Sequence, residues 1–306
     1  MKKEANHPYI INSISELHRL LALPKPEHPL ISVIDLGTIK HNTDQNMKSV
    51  VYNFYSVCIK KGFEGKLKYG QNYYDFDEGL MTFFSPGQVI STDIVDGMQL
   101  NGWWLVVHPD LIRNYPLAKT IKDYGYFSYA VNEALHLSEK EEMMVTAIVQ
   151  NINQEYRSVI DTYSQDVMVS QFELLLNYCN RFYNRQFITR KSAGNDLLFK
   201  LETILADYFN SDKVQQMGLP TVQYLSGELN ISPNYLSDML RSLTGQSTQQ
   251  HIHDKLIEKA KDLITTTSLS VSEIAYQLGF EYPQSFSKLF KNKTSVSPLG
   301  YRHNFN

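Results

Sequence analysis

The chain repeats itself near its C-terminus, and an internal repeat constrains a fold more tightly than any local propensity. Val222, Leu225, Leu229 and Ile231 recur as Val271, Ile274, Leu278 and Phe280, 49 residues later. After a one-residue slip, Leu236, Leu240, Arg241 and Thr244 recur as Phe286, Phe290, Lys291 and Thr294, 50 residues later. Each copy reads as a short helix, a tight turn and a second helix with a polar outer stripe.

The second helix of the first copy opens at Ser232-Pro233. Serine caps the free amides there, and proline suits the first helical position. Leu236, Met239, Leu240 and Leu243 form its apolar face, and Asn234, Ser237, Asp238 and Arg241 fall at i, i+3, i+4 and i+7 on the other. In the second copy Phe286, Leu289 and Phe290 are apolar, while Gln284, Ser287, Lys288 and Lys291 repeat the stripe. A helix laid in a major groove needs this division: hydrogen-bonding side chains outward, a hydrophobic face to anchor it. One polar stripe is ordinarily a solvated face. Two equivalent stripes inside a repeated unit argue instead for a reader of two successive stretches of DNA.

The first helix of the second copy carries a capping box, Ser270-Val271-Ser272-Glu273, and stops at Gly279. Its small Ala275 lets a recognition helix pack closely. Between the copies, Gln249 to Thr266 reads as one helix with Ile252, Leu256, Ala260, Leu263 and Ile264 on a face. Such a helix spans about 25 Å, which suits recognition helices about one DNA turn, ~34 Å, apart.

These residues resemble a known family. Gly279-Phe280-Glu281-Tyr282-Pro283-Gln284-Ser285-Phe286-Ser287-Lys288-Leu289-Phe290-Lys291, followed by Ser297-Pro298-Leu299-Gly300-Tyr301-Arg302, is similar to the C-terminal signature of the AraC/XylS transcription regulators. Leu256 to Ile264 resembles that family's linker helix. The resemblance covers about Leu197 to Arg302, a third of the chain. It implies two helix-turn-helix motifs in adjacent major grooves. The implied DNA-facing positions are Asn234, Ser237, Asp238 and Arg241 in the first motif, and Pro283, Gln284, Ser287, Lys288 and Lys291 in the second. Two residues depart from the family's pattern. Asp238 stands where many members carry a basic or amide residue; it can accept from cytosine N4 but repels phosphate. Ser295 replaces a usual glycine, a local backbone change.

Charge agrees with a local rather than a general attraction to nucleic acid. The net charge of −3 argues against a histone-like binder. From Tyr282 to Asn306, however, there are four basic residues (Lys288, Lys291, Lys293, Arg302) and no acid. The two cysteines, Cys58 and Cys179, lie far apart in apolar surroundings and read as reduced, buried thiols. The N-terminus has no apolar h-region, and no apolar run reaches membrane-spanning length, so a cytoplasmic protein is expected.

A length of 306 residues favours two domains. Residues 1 to about 130 read as β structure: Ile31–Leu36, Tyr52–Ile59, Leu80–Phe84 and Trp103–Val107 are short apolar or alternating runs bounded by turn formers such as Ser85-Pro86-Gly87 and Asp96-Gly97. From Ser138 the pattern turns helical, with a capping box at Ser138-Glu139-Lys140-Glu141 and a second helix from about Val167 to Phe187. Residues 191–199, within the polar, aperiodic run that begins at Thr189, are expected to link the domains. The expectation is an α+β two-domain chain: a cupin-like antiparallel β-barrel with flanking helices over 1–190, which the family resemblance implies, and an all-α domain with two helix-turn-helix motifs over 200–306. Tyr69 to Gly79, with Phe83 to Gln88, resembles such a barrel more loosely.

Many cupins are metal enzymes. Their sites need a His-x-His pair, a glutamate and a further histidine. The β region offers His28, His41 and His108, isolated in sequence and with no His-x-His, and the one such pair, His251-Ile252-His253, lies on the helix between the DNA motifs. No metal, cofactor or catalytic residue is expected. Ten Tyr or Phe residues between Val50 and Phe84, followed by Trp103-Trp104, leave room for a ligand site. Its candidate residues are Tyr55, Tyr73, Phe84, Trp103 and His108. The partners expected are double-stranded DNA, a small-molecule effector, RNA polymerase and a second copy of the chain, with no membrane. The alternative is a cupin-type small-molecule enzyme or sensor whose helical domain binds protein.

Overall fold

The computed structural model describes residues 8–39, 49–61, 63–69, 72–76, 79–93, 101–130, 133–189 and 191–304, with backbone course alone for 61–76, 91–93 and 191–195. The chain divides into two compact units, Met1–Gln186 and Phe187–Asn306.

The first unit begins with β1 (Tyr9–Ile11), α1 (Ile14–Leu20), β2 (Ile31–Asp35), β3 (Ser49–Tyr52), β4 (Tyr55–Lys61), β5 (Phe63–Tyr69) and β6 (Asn72–Phe76). It continues through β7 (Leu80–Phe84), β8 (Val89–Asp93), β9 (Asn101–Val107), the short helices α2 (Pro109–Ile112) and α3 (Leu117–Thr120), and β10 (Leu135–His136). The strands form two five-stranded sheets, ordered β1-β3-β8-β5-β6 and β10-β7-β4-β9-β2. Pairing is antiparallel except where β1 runs parallel to β3. Val50 of the first sheet packs in one core cluster with Ile34 and Val106 of the second, closed by Ile14 and Leu17 of α1. The apolar face each sheet must bury is thus turned toward the other, the layout of a cupin-like domain.

The run Tyr52–Ile59 is split into β3 and β4. Phe54 is fully buried between the two strands, and the Asn53 N–H donates to the Ile11 carbonyl at 3.0 Å, which continues the parallel β1–β3 pairing at the break.

Two helices flank the sheets: α4 (Glu139–Arg157) and α5 (Ser164–Thr189). The predicted box forms at the head of α4, where the Glu141 carboxylate accepts the Ser138 N–H at 2.9 Å. Val145, Ile148, Val149 and Ile152 make its buried face.

The second unit is helical: α6 (Lys191–Asn210), α7 (Lys213–Met217), α8 (Val222–Glu228), α9 (Pro233–Thr244), α10 (Thr248–Thr266), α11 (Val271–Gln277), α12 (Pro283–Thr294) and α13 (Pro298–His303). The expected linker 191–199 is therefore helix, the first half of α6. Leu201, Leu205, Tyr208 and Phe209 are buried on one side of its second half. Once that half is anchored, each polar residue added at its N-terminus gains a hydrogen bond without a new nucleation step.

The repeat is repeated in atomic detail. In the first copy Leu229, Asn230 and Ile231 donate to the carbonyls of Leu225, Gly227 and Ser226; in the second, Leu278, Gly279 and Phe280 donate to Ile274, Tyr276 and Ala275. Asn230 and Gly279 occupy the same left-handed position, at φ 55° and 81°. The recognition helices end alike, with Gly245 and Ser295 left-handed at φ 73° and 63°, each donating to the carbonyl four residues back. A serine there carries a Cβ penalty that glycine does not. Ser295→Gly is expected to stabilise the chain by about 1 kcal/mol, read as a higher urea midpoint, with DNA binding unchanged.

Candidate nucleic-acid interface

Each candidate recognition helix must be held by one face before its other face can read anything. Helix α9 is held by Leu236, Met239 and Leu240, all buried. Its N-terminus is capped by Ser232, whose hydroxyl accepts the Tyr235 N–H at 3.2 Å. Helix α12 is held by Phe286 and Phe290, both fully buried. Phe286 packs at 5.5 Å from Phe280, and Phe290 at 5.5 Å from Tyr301, between ring centroids. Helix α10 spans its 19 residues, about 28 Å at 1.5 Å per residue, and buries Ile252, Leu256, Ile257, Ala260 and Ile264.

The two outward stripes differ. On α9, Asn234 and Arg241 are exposed, while Ser237 and Asp238 are half-buried. The Ser237 hydroxyl donates to the Pro233 carbonyl at 2.9 Å and lies 3.2 Å from the buried Thr248 hydroxyl. It braces α9 against the start of α10. Asp238 faces Arg241 at 3.4 Å across one turn, with the arginine side chain 62% exposed. Such an exposed pair is worth under about 1 kcal/mol, so a phosphate can draw the guanidinium away. On α12, Gln284, Lys288 and Lys291 are exposed, and Pro283 and Ser287 are half-buried. Among the described residues neither Lys288 nor Lys291 enters an ion pair.

The basic end of the chain divides by role. Arg302 is half-buried; its guanidinium donates to the Ile264 carbonyl at 3.0 Å and the Leu269 carbonyl at 2.7 Å. It satisfies free carbonyls at and beyond the end of α10, where a cation is favoured. Lys293 is bound to Asp254 at 2.7 Å. Two of the four cations thus hold the domain together, while Lys288 and Lys291 are exposed and, among the described residues, in no ion pair. The sequence could not separate these roles, because both partners of Arg302 are backbone carbonyls.

His251 and His253 do not converge. His251 Nε2 lies 3.0 Å from the Thr244 hydroxyl, and His253 Nε2 lies 3.1 Å from the Gln249 amide. Residues two apart on a helix point to different sides. Burial pushes both imidazoles below their ordinary pKa. Among the described residues no group of three or more His, Cys, Asp or Glu is placed to hold a metal.

The candidate ligand residues of the first unit are also dispersed. Tyr55 pairs with Val107, and Trp103 with Ile59, whereas Phe84 pairs with Ser56. Side chains alternate across a sheet, so Tyr55 and Trp103 share one face and Phe84 lies on the other with Thr82, Ser56 and Trp104. Tyr55 packs edge-on against Phe127 at 5.2 Å, and burial raises its pKa. Trp103 Nε1 donates to the Thr146 hydroxyl on α4 at 3.1 Å. His108 caps α2, accepting the Asp110 N–H at 3.2 Å. The side chains of His41 and Tyr73, like the Asp96-Gly97 turn, lie outside the described residues. Phe84 borders a cavity of about 10 Å³ with Thr82, Tyr126, Tyr129, Ala134 and Tyr183. The Thr82 hydroxyl is buried there without a hydrogen-bond partner. Strand alternation at Thr82-Phe83-Phe84 was the sequence signal for it; the aromatic count drew attention elsewhere.

Comparison with known proteins fits this geometry. Residues 225–304 match the family model described as a helix-turn-helix domain. The chain is 32% identical to the C-terminal domain of the two-component response regulator yesN from Fusobacterium nucleatum, covering 98% of that chain and 35% of this one, with a TM-score of 0.31. It is 28% identical to the transcriptional activator RhaS of Escherichia coli over 149 residues, 49% of each chain. It is 23% identical to the HTH-type regulator YfiF of Bacillus subtilis over 82% of this chain and 77% of that one. The chain spans about half the length of RhaS and 8% of a matching histidine kinase, P4 of Formosa agariphila. No helix among the described residues is long and apolar enough to cross a membrane. Residues 225–304 are thus a helix-turn-helix domain of the AraC type, and the chain's relatives include AraC-family regulators.

Proposed function

We propose that the chain is a sequence-specific regulator of transcription, which reads DNA with two unequal recognition faces and is controlled by a small molecule bound in its N-terminal unit. The observation that carries this reading is the matched pair of helix-turn-helix units, one of which presents exposed Lys288 and Lys291 on the same face as exposed Gln284. The first face is Asn234, Ser237, Asp238 and Arg241, with Ser237 acting as a brace; the second is Pro283, Gln284, Ser287, Lys288 and Lys291. Lysine and arginine hold phosphates and set register, while the amides of Gln284 and Asn234 read base edges. The Asp238–Arg241 pair makes the first face the weaker and more selective of the two.

The effector arm rests on the cupin-like layout of the two sheets, since the cavity beside Thr82 and Phe84, about 10 Å³, has room for no more than one water. Exposed Met143 and Met144 on α4, and Leu174 on α5, support self-association through these helices. A homodimer brings four helix-turn-helix units to two half-sites, in the cytoplasm, beside RNA polymerase. Sedimentation at micromolar concentration tests this arm, and a strict monomer with and without DNA contradicts it.

The DNA reading is tested by titrating the purified chain against its own upstream DNA at rising salt. Specific binding should fall with a log–log slope of about 0.9 per phosphate neutralised; equal affinity for unrelated DNA would overturn it. Gln284→Ala should leave affinity for random DNA unchanged. It should cut discrimination at one base position by about tenfold, the worth of one good base contact, as read by binding to singly substituted duplexes.

A further inference from the structure

An acid in the middle of a DNA-facing stripe costs affinity unless the duplex offers it a donor. Asp238 stands there on α9, between Asn234 and Arg241. The helix beneath it is fixed. Leu236, Met239 and Leu240 are buried on the other face, and the Ser237 hydroxyl is bonded to the Pro233 carbonyl and lies beside Thr248. The Asp238 side chain is short and only 33% exposed, so its carboxylate goes where α9 goes.

Charge rules out phosphate as its partner. It also rules out the acceptors of the major groove: guanine N7 and O6, adenine N7 and thymine O4. The donors left are cytosine N4 and adenine N6. Adenine N6 stands beside N7, an acceptor in the same groove, which suits an amide and repels a carboxylate. Cytosine N4 has no such neighbour on its own ring. Its paired guanine presents O6 and N7, the commonest target of arginine.

Arg241 supplies that second half. Its guanidinium meets the Asp238 carboxylate at 3.4 Å, longer than a charge-assisted bond at full strength. A guanidinium has several donors and a carboxylate several acceptor sites, so each can take a base edge without releasing the other. Side by side they present an acceptor next to donors, the complement of a C·G pair. In the second copy, 50 residues on, the same two positions hold Lys288 and Lys291.

We propose that Asp238 and Arg241 act as one unit that reads a single C·G pair, with Asp238 accepting from cytosine N4 and Arg241 donating to guanine O6 and N7. This rests on the DNA reading above and narrows it. Asp238 keeps Arg241 on the base edge and off the phosphates, and the unit brings no net charge into the groove. The repeat thus places base choice on the first face and phosphate affinity on the second.

The test uses the full chain and the duplex it enriches from a random pool, with every base pair substituted singly. One position within the α9 stretch should require C·G, with about tenfold loss for any other pair. Asp238→Asn should move the preference at that position from C·G to A·T, because an amide pairs with adenine N6 and N7. Asp238→Ala should accept every pair there to within about threefold. Replacing the guanine of that pair by 7-deazaguanine, which lacks N7, should weaken wild type about tenfold and leave Arg241→Ala unaffected. The double variant Asp238→Ala, Arg241→Ala should keep the log–log salt slope of wild type, whereas a lost phosphate contact would lower it by about 1. Should Asp238→Asn not fold by circular dichroism, the 7-deazaguanine duplex decides with the unaltered chain. A C·G preference unmoved in folded Asp238→Asn, or a 7-deazaguanine duplex bound like its parent, overturns the inference and leaves the DNA reading standing. A wild type that enriches no duplex overturns the DNA reading and the inference with it.

Discussion

Gly279→Ala is expected to destabilise the C-terminal domain by about 3 kcal/mol, the sum of a strained φ and an overpacked contact. Gly279 sits at φ +81°, and an added Cβ would stand 3.0 Å from both the Val214 side chain and the Val214 carbonyl oxygen. The backbone oxygen cannot move aside without breaking the α7 turn, where the Gly218 N–H donates to it at 2.9 Å. Gly245→Ala is the matched control: its φ is +73° with nothing within 4 Å of the added carbon, so it should cost only about 1 kcal/mol. Hydrogen exchange of α11 and α12 amides in the full chain measures both. Equal losses for the two variants would mean that the approach of α7 is not tight.

Removing both free cations of α12 is expected to have the largest effect on binding. The Lys288→Ala, Lys291→Ala double variant should lose about a hundredfold in affinity, at roughly tenfold per contact, and its log–log salt slope should fall by about 2. Lys293→Ala is the contrast. Its ammonium is held by Asp254, so the variant should stay within about threefold of wild type with the slope unchanged. Anisotropy titrations at several salt concentrations separate these outcomes. A lysine-to-alanine loss that did not depend on salt would place these residues off the phosphate backbone.

Much of the second unit was legible because its signals are short-range. The caps at Ser232 and Ser270, the left-handed turn at Gly279 and the apolar spacing of α10 are each set within a few residues, and each is found in place. The helical linker was not legible, because what makes 191–199 helical lies beyond it, at Leu201 to Phe209. The same limit applies to Arg302 and Ser237. Their types and spacing read as DNA-facing or as part of a basic end, but their partners are backbone carbonyls and a hydroxyl supplied by tertiary packing. In the first unit, strand positions followed from alternation, and Leu80–Phe84 is the strand expected. The face each aromatic occupies did not follow, because a one-residue change of register moves a side chain through the sheet. That is why Tyr55 and Phe84, both aromatic on paired strands, point to opposite sides.

The most direct test of the central claim, two unequal readers in successive major grooves, is a hydroxyl-radical footprint of the full chain on the duplex it enriches from a random pool. Two protected stretches per half-site are expected, about 10 base pairs or one helical turn apart, with the α12 stretch surviving to higher salt than the α9 stretch. A single protected stretch, or two that fade together as salt rises, would contradict it.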